Sequence, residues 1–207
     1  MDTLGGSLVS RVGKDPMERV SSACIGIAGA GGLGSNCAMH LVRMGFRHLV
    51  VADFDRVEPS NLNRQFFFAR QVGESKVDAL KENLVAIEPE AEVKTHCVQV
   101  TGENIGGLFD GCDAVVEAFD RVESKQLLVE RYLARGTFLV AASGIGGWGD
   151  ADRIVTRKIT PTCYVVGDGV TEADDTAPPM SAVVSIAAAK QADLVFGWVV
   201  NGGRLKT

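Results

Sequence analysis

The sequence predicts an α/β protein: a doubly wound, mostly parallel sheet with late antiparallel edge strands. Three observations carry that expectation. Short apolar runs alternate with helical patterns along most of the chain. One apolar run, residues 23–28, leads into the glycine turn Gly29-Ala30-Gly31-Gly32-Leu33-Gly34, and a helical pattern over 35–44 follows. A second apolar run, 47–52, then closes a βαβ unit, whose crossover is expected to be right-handed.

The remaining elements follow in order. Residues 1–22 are polar with few apolar anchors, and a short helix is expected over 16–21. After the second strand, a long polar connection runs from 53 to 70. The pattern over 73–87 puts Val77, Leu80, Leu84 and Ile87 on one helical face, and Pro89 ends it. Residues 91–100 alternate apolar and polar, as a partly exposed strand does. A short helix is expected at 105–109, a strand at 113–119, a helix at 122–135 and a strand at 137–142. The pattern then changes at a glycine-rich turn, 144–149. Two late strands, 154–159 and 163–166, are expected as antiparallel additions at the sheet edge. Residues 171–179 are acidic and proline-bearing, hence a loop, and 181–200 is a final helix.

The totals bound the function. A chain of 207 residues suits one sizeable core, and 46% hydrophobic with 23% charged residues is the composition of a soluble globular protein. A net charge of −5 argues against a general nucleic-acid surface. The longest apolar stretch, 181–200, is broken by Lys190, Gln191 and Asp193, so no membrane span is expected. The N-terminus is polar and does not read as a signal peptide. The five cysteines, at 24, 37, 97, 112 and 163, make no CxxC pair, so no zinc site is expected. A reduced, cytoplasmic location is the expectation.

Ligands of such sheets bind outside the carboxyl ends of the strands. The glycine turn, Asp53 and Asp120 are all expected there. Glycine serves the turn in three ways. It permits the sharp bend, lets the backbone approach a phosphate, and lets the helix pack close to the strand. The helix N-terminus then offers free N–H groups to an anion. The spacing of Gly29, Gly31 and Gly34, with Asp53 beyond it, also fits a dinucleotide fingerprint, so the turn alone points to NAD. The connection after Asp53 is not explained by NAD. Asn61, Arg64, Gln65 and Lys76 bring two amides, a guanidinium and an ammonium to one stretch, which suits a triphosphate and a pyrophosphate leaving group. Asp120 reads equally as a metal ligand or as the N-cap of the next helix. His40, His48 and His96 lie outside any motif, and Trp148 and Trp198 read as packing residues.

The runs GAGGLGS, ADFDRVEPSNLNRQ, GESK and EAFD resemble the adenylating domain of the ubiquitin-activating superfamily. The later run VAASGIGGWGDADRIVTRK is similar to that of its short ThiF members. The resemblance covers nearly the whole chain and implies one Rossmann-like adenylation domain, 1–207, that activates the C-terminal Gly-Gly of a ThiS-like sulfur carrier with ATP. It implies that Gly29, Gly31, Gly32 and Gly34 face the nucleotide and that Asp53 holds the ribose. Asn61, Arg64, Gln65 and Lys76 would meet the phosphates, and Asp120 would hold Mg2+. Arg11 would reach the phosphates bound by the partner subunit of a homodimer. Asp55 would be structural. Two departures stand out. Arg121 replaces the asparagine that many relatives carry after the aspartate, and the zinc cysteines of longer members are absent. Cys163 is the only late cysteine, and with no cationic neighbour in its run it reads as structural. Rival readings are an NAD-dependent oxidoreductase, a dehydratase acting on a tRNA base, and a non-catalytic nucleotide-binding scaffold.

Overall fold

The computed structural model describes residues 3–205. Two helices come first, α1 (Leu4–Val12) and α2 (Lys14–Ser22). Strand β1 (Cys24–Ala28), helix α3 (Gly32–Arg43) and strand β2 (His48–Ala52) form the βαβ unit. Helix α4 (Lys76–Ile87), strand β3 (Glu92–His96), helix α5 (Ile105–Phe109) and strand β4 (Ala114–Glu117) follow. Helix α6 (Val122–Arg135), strands β5 (Phe138–Ala142), β6 (Thr156–Thr160) and β7 (Cys163–Val166), and helix α7 (Ser181–Val200) complete the chain.

One sheet holds all seven strands in the order β3-β2-β1-β4-β5-β7-β6. Every pairing is parallel except β6 with β7. The expected doubly wound sheet with an antiparallel edge is therefore present, with one refinement. Residues 163–166 extend the parallel sheet beside β5, and only β6 runs the other way. The hairpin between β6 and β7 reverses direction once, so one of the two strands must lie parallel to β5.

Both sheet faces are covered. Ile25, Ile27, Leu49 and Val51 pack under α3, α4 and α7, whereas Val115 and Leu139 pack under α5 and α6. Helix α7 is long and apolar enough to cross a membrane. Here it is a core helix packed chiefly on α3, with Val183, Val184, Ala187, Ala188, Ala192, Val195 and Val199 buried.

Several boundaries moved. Helix α3 begins inside the glycine turn, at Gly32 rather than at 35. Helix α4 begins at Lys76, because residues 73–75 pair backward with the preceding connection. Helix α1 has no counterpart in the sequence reading. Its two glycines weaken the helical pattern, and a Thr3 cap accepting the Gly6 N–H (3.1 Å) helps to start it. Trp198 stacks on Phe138 at 4.8 Å, as a packing residue does. Trp148 does not pack: it stands 66% exposed on the glycine-rich turn.

Candidate functional site

The strand order reverses at β1, which has β2 on one side and β4 on the other. Ligands of such sheets bind in the crevice at that point. The glycine turn leaves β1 there. Gly29 adopts φ +103, and a Cβ on it would stand 2.6 Å from the Ala118 carbonyl oxygen. Gly31 caps α3 with no side-chain hydrogen bond, so the first N–H groups of a twelve-residue helix have no side-chain acceptor at the cap.

Asp53 leaves β2 and binds the turn directly. Its Oδ2 accepts the Ala30 N–H at 2.6 Å, and its Oδ1 accepts the Asp55 N–H at 2.8 Å. The carboxylate thus ties the end of β2 to the glycine turn across 23 residues.

The connection after Asp53 is an ordered loop closed on itself. Val57 N–H donates to Glu74 O, Gly73 N–H to Val57 O, and Lys76 N–H to Asp55 O. That closure delivers Lys76 to Asp55: Nζ donates to Asp55 Oδ2 at 2.7 Å, with the lysine side chain only 8% exposed. Helix α3 grips the far side of the loop. Asn36 Nδ2 donates to the backbone oxygens of Gly32 (2.7 Å) and Arg64 (2.8 Å). Ser35 Oγ accepts the Phe66 N–H at 3.0 Å and donates to Gly31 O at 2.7 Å. The result lays Arg64 against the start of α3, its Cγ 3.6 Å from where a Gly32 Cβ would be. Gln65 also faces the turn. Its Nε2 is 4.0 Å from where a Gly31 Cβ would be, and its buried Oε1 has no hydrogen-bond partner among the described residues. The Arg64 guanidinium donates to Ser60 O at 3.1 Å and to Asn63 Oδ1 at 2.8 Å. Asn61 is buried, and its Oδ1 accepts the Glu58 N–H at 3.0 Å.

Asp120 follows β4, is exposed and makes no hydrogen bond among the described residues. It does not cap α6, whose N-cap is Arg121 with no side-chain bond. As a free carboxylate at a strand end it fits a divalent cation that keeps its own waters. Among the described residues no group of three or more His, Cys, Asp and Glu is placed to hold a metal ion. Arg121 reaches across instead, its guanidinium 5.7 Å from the Phe54 ring. Arg11 is exposed on α1. Leu8 of that helix lies near Gly45, past the end of α3 remote from the glycine turn. One protomer therefore does not bring Arg11 to the other candidates.

Some supports were not legible in the sequence. Glu117, 1% exposed at the end of β4, accepts from Lys125 Nζ at 2.9 and 3.1 Å and from the Phe119 N–H at 2.8 Å. Burial pushes its carboxyl up, and the Lys125 ammonium opposes that shift. Asp168 braces the loop at 171–179. Its carboxylate accepts the Val170 N–H (2.7 Å), the Thr171 N–H (2.8 Å), the Thr171 hydroxyl (2.6 Å) and the Arg153 guanidinium. Burial raises its proton affinity, but those donors together outweigh burial and hold it well below the usual carboxylate range. Gly147 N–H donates to Ala177 O at 3.0 Å, and Asn63 Nδ2 to Pro179 O at 3.3 Å, which seats the loop beside Arg64. Cys163 is buried in β7 and burial raises its thiol pKa, as suits a structural residue.

An uncapped helix N-terminus and a clamped glycine turn at a sheet's switch point, with Arg64 laid beside them, give an α/β protein whose crevice suits a phosphate-bearing ligand. Comparison with known proteins narrows this: the chain belongs to the ThiF family, whose pattern it matches over residues 6–201. It is 32% identical over 153 residues to the tRNA threonylcarbamoyladenosine dehydratase of Bacillus subtilis, covering 73% of this chain and 60% of that protein. It is 34% identical over 134 residues to the sulfur carrier protein adenylyltransferase of Thermus thermophilus, covering 64% of this chain and 49% of that protein. The chain spans about a third of the Culex quinquefasciatus adenylyltransferase and sulfurtransferase MOCS3, at 32% identity. Its fold matches Escherichia coli TcdA, solved with ATP, at a TM-score of 0.89 and 21% identity, over 97% of this chain and 95% of that one. Escherichia coli MccB with ATP matches at 0.75 and 16% identity, over 97% of this chain and 64% of that one.

Proposed function

We propose that this protein is an ATP-dependent adenylyltransferase that activates the C-terminal Gly-Gly carboxylate of a ThiS-like sulfur carrier, in thiamine biosynthesis. One observation supports the reading: Arg64 and Gln65 lie beside the uncapped start of α3, and Lys76 is held on the same loop by Asp55, a set of cations and an amide suited to a nucleotide's phosphates. A dinucleotide oxidoreductase has no use for that set.

The carrier's terminal carboxylate attacks the α-phosphorus of ATP. A bond forms from carboxylate oxygen to phosphorus, the bond to the bridging oxygen breaks, and pyrophosphate leaves with the electron pair. The carboxylate is already ionised, so no protein base is required. The chain supplies position and charge. The glycine turn gives backbone N–H groups, Asp53 takes the ribose hydroxyls, and Asn61 and Gln65 orient the phosphates. Arg64 and Lys76 balance charge growing on the leaving group. Asp120 would hold Mg2+, which neutralises phosphate charge when bound. Arg11 would enter the site of a partner subunit in a homodimer. The five cysteines are free thiols, in keeping with a cytoplasmic location.

A second reading, a dehydratase acting on a tRNA base, is favoured by the identity to the Bacillus subtilis protein. The acidic character of the loop beside Arg64, with Glu172, Asp174 and Asp175, supports a protein substrate over a polyanion. ATP–pyrophosphate exchange separates the two. Exchange is expected with a Gly-Gly carrier, and is expected to vanish in Arg64→Ala, Lys76→Ala and Asp120→Ala variants that keep a native circular dichroism spectrum. Exchange driven by tRNA and not by any Gly-Gly carrier would overturn the carrier assignment.

A further inference from the structure

At the end of the sheet opposite the candidate site, two thiols meet. Cys24 opens β1, and Cys112 lies in the turn that enters β4. Their sulfurs are 3.7 Å apart. The backbone around them is fixed: Cys24 N–H donates to Asp113 Oδ2 at 2.9 Å, and Asp113 N–H donates to Cys24 O at 2.8 Å. Gly26 makes room for the pair. A Cβ there would stand 2.8 Å from the Phe109 ring and 3.3 Å from Cys112 Sγ.

The two thiols are unequal. Cys112 is buried, whereas Cys24 is partly exposed and borders an open concavity of about 540 Å3. Lys81 and Lys94 line that concavity, with His48 and Glu92. The sulfur–sulfur hydrogen bond with Cys112, together with Lys94, favours the Cys24 thiolate against burial and the Asp113 charge. The same hydrogen bond, with burial, keeps Cys112 protonated. An accessible, thiolate-prone cysteine in contact with a buried thiol is the arrangement of an attacking and a resolving cysteine. Among the described residues Cys37 and Cys163 are buried and Cys97 is exposed, and none shows a sulfur–sulfur contact.

We propose that Cys24 and Cys112 form a peroxide-reactive dithiol site that closes reversibly into a disulfide linking β1 to β4. The Cys24 thiolate attacks one oxygen of hydrogen peroxide, the O–O bond breaks and hydroxide leaves, giving a sulfenic acid. The Cys112 sulfur then attacks Cys24 as its proton departs. The S–O bond breaks, water leaves and the S–S bond forms. Two thiols lose two electrons in all, and one peroxide becomes two waters. The sulfurs must close to about 2.05 Å, a side-chain adjustment at backbone positions that are already adjacent. An external dithiol reverses the change by exchange.

The inference does not rest on the adenylation reading. The test is mass spectrometry of the whole protein after a few equivalents of hydrogen peroxide and a thiol-blocking quench. A loss of about 2 Da is expected, with a Cys24–Cys112 linked peptide that dithiothreitol removes. A Cys112→Ser variant is expected to hold the Cys24 sulfenic acid long enough for dimedone to trap it. Oxidation of Cys97 while Cys24 and Cys112 both stay alkylatable would overturn the proposal. Conversion of Cys24 to sulfinic acid with no link to Cys112 would do the same.

Discussion

The Lys125 ammonium binds both oxygens of Glu117 and also donates to Ala142 O at 3.2 Å, so one side chain joins the ends of β4 and β5 to α6. Glu117 in turn holds the Phe119 N–H, and Gln191 Nε2 donates to Glu117 O at 3.0 Å. The strand end that leads to Asp120 is thereby fixed from three directions. Lys125→Met leaves a buried carboxylate without its cation and should lower stability by about 3 kcal/mol. The double variant Glu117→Gln, Lys125→Met removes the charge as well and should recover more than half of that loss. Urea denaturation of the two singles and the double measures it, and additivity of the two single effects would contradict the coupling.

Gly34 lies in the first turn of α3 directly against the glycine turn, where a Cβ would overlap the Gly29 carbonyl oxygen. The obstacle is backbone, which cannot swing away. Gly34→Ala should cost about 3 kcal/mol and lower Tm by roughly 6–12 °C for a chain of this size. Gly107, in α5, has nothing within 4 Å of its Cβ position. Gly107→Ala should leave Tm unchanged or raise it slightly, since alanine favours the helix. Thermal melts of the pair separate steric overlap from a general intolerance of substitution.

Asp168 gives a pH signature. Its folded carboxyl holds a proton less tightly than an unfolded aspartate does, so the unfolded chain binds more protons and stability rises with pH through this range. The contribution is complete above the unfolded pKa of about 3.9 and is lost as pH falls toward the depressed folded value. Asp168→Asn should cost about 2 kcal/mol at neutral pH, the worth of its charged hydrogen bonds. The Tm gap between wild type and variant should narrow below about pH 4. A gap that stays constant from pH 7 to pH 3 would show that the carboxylate charge does not matter there.

The local chemistry of the site could be read directly from residues. The candidates at the glycine turn, Asp53, Arg64, Gln65 and Lys76 stand out because a glycine turn, a strand end and a polar connection are each short-range patterns. Their connections could not be read this way. Asp53 clamping Ala30, and Lys76 meeting Asp55, depend on a loop that closes over some twenty residues. Glu117 carries no local signal of its role, because its partner Lys125 is on the next helix. Trp148 reads as a packing residue by type alone, yet it stands largely exposed on its turn.

By itself the sequence determined the alternation of strands and helices and the residue types that cluster after β1 and β2, because periodicity and turn chemistry act within a few residues. Only the tertiary structure decided that 163–166 runs parallel beside β5, since strand direction depends on where the chain returns to the sheet. It also decided that Arg11 stands apart from the site in one protomer, and that Cys24 and Cys112 touch across 88 residues. Those relationships are set by packing between distant segments, on which local pattern has no hold.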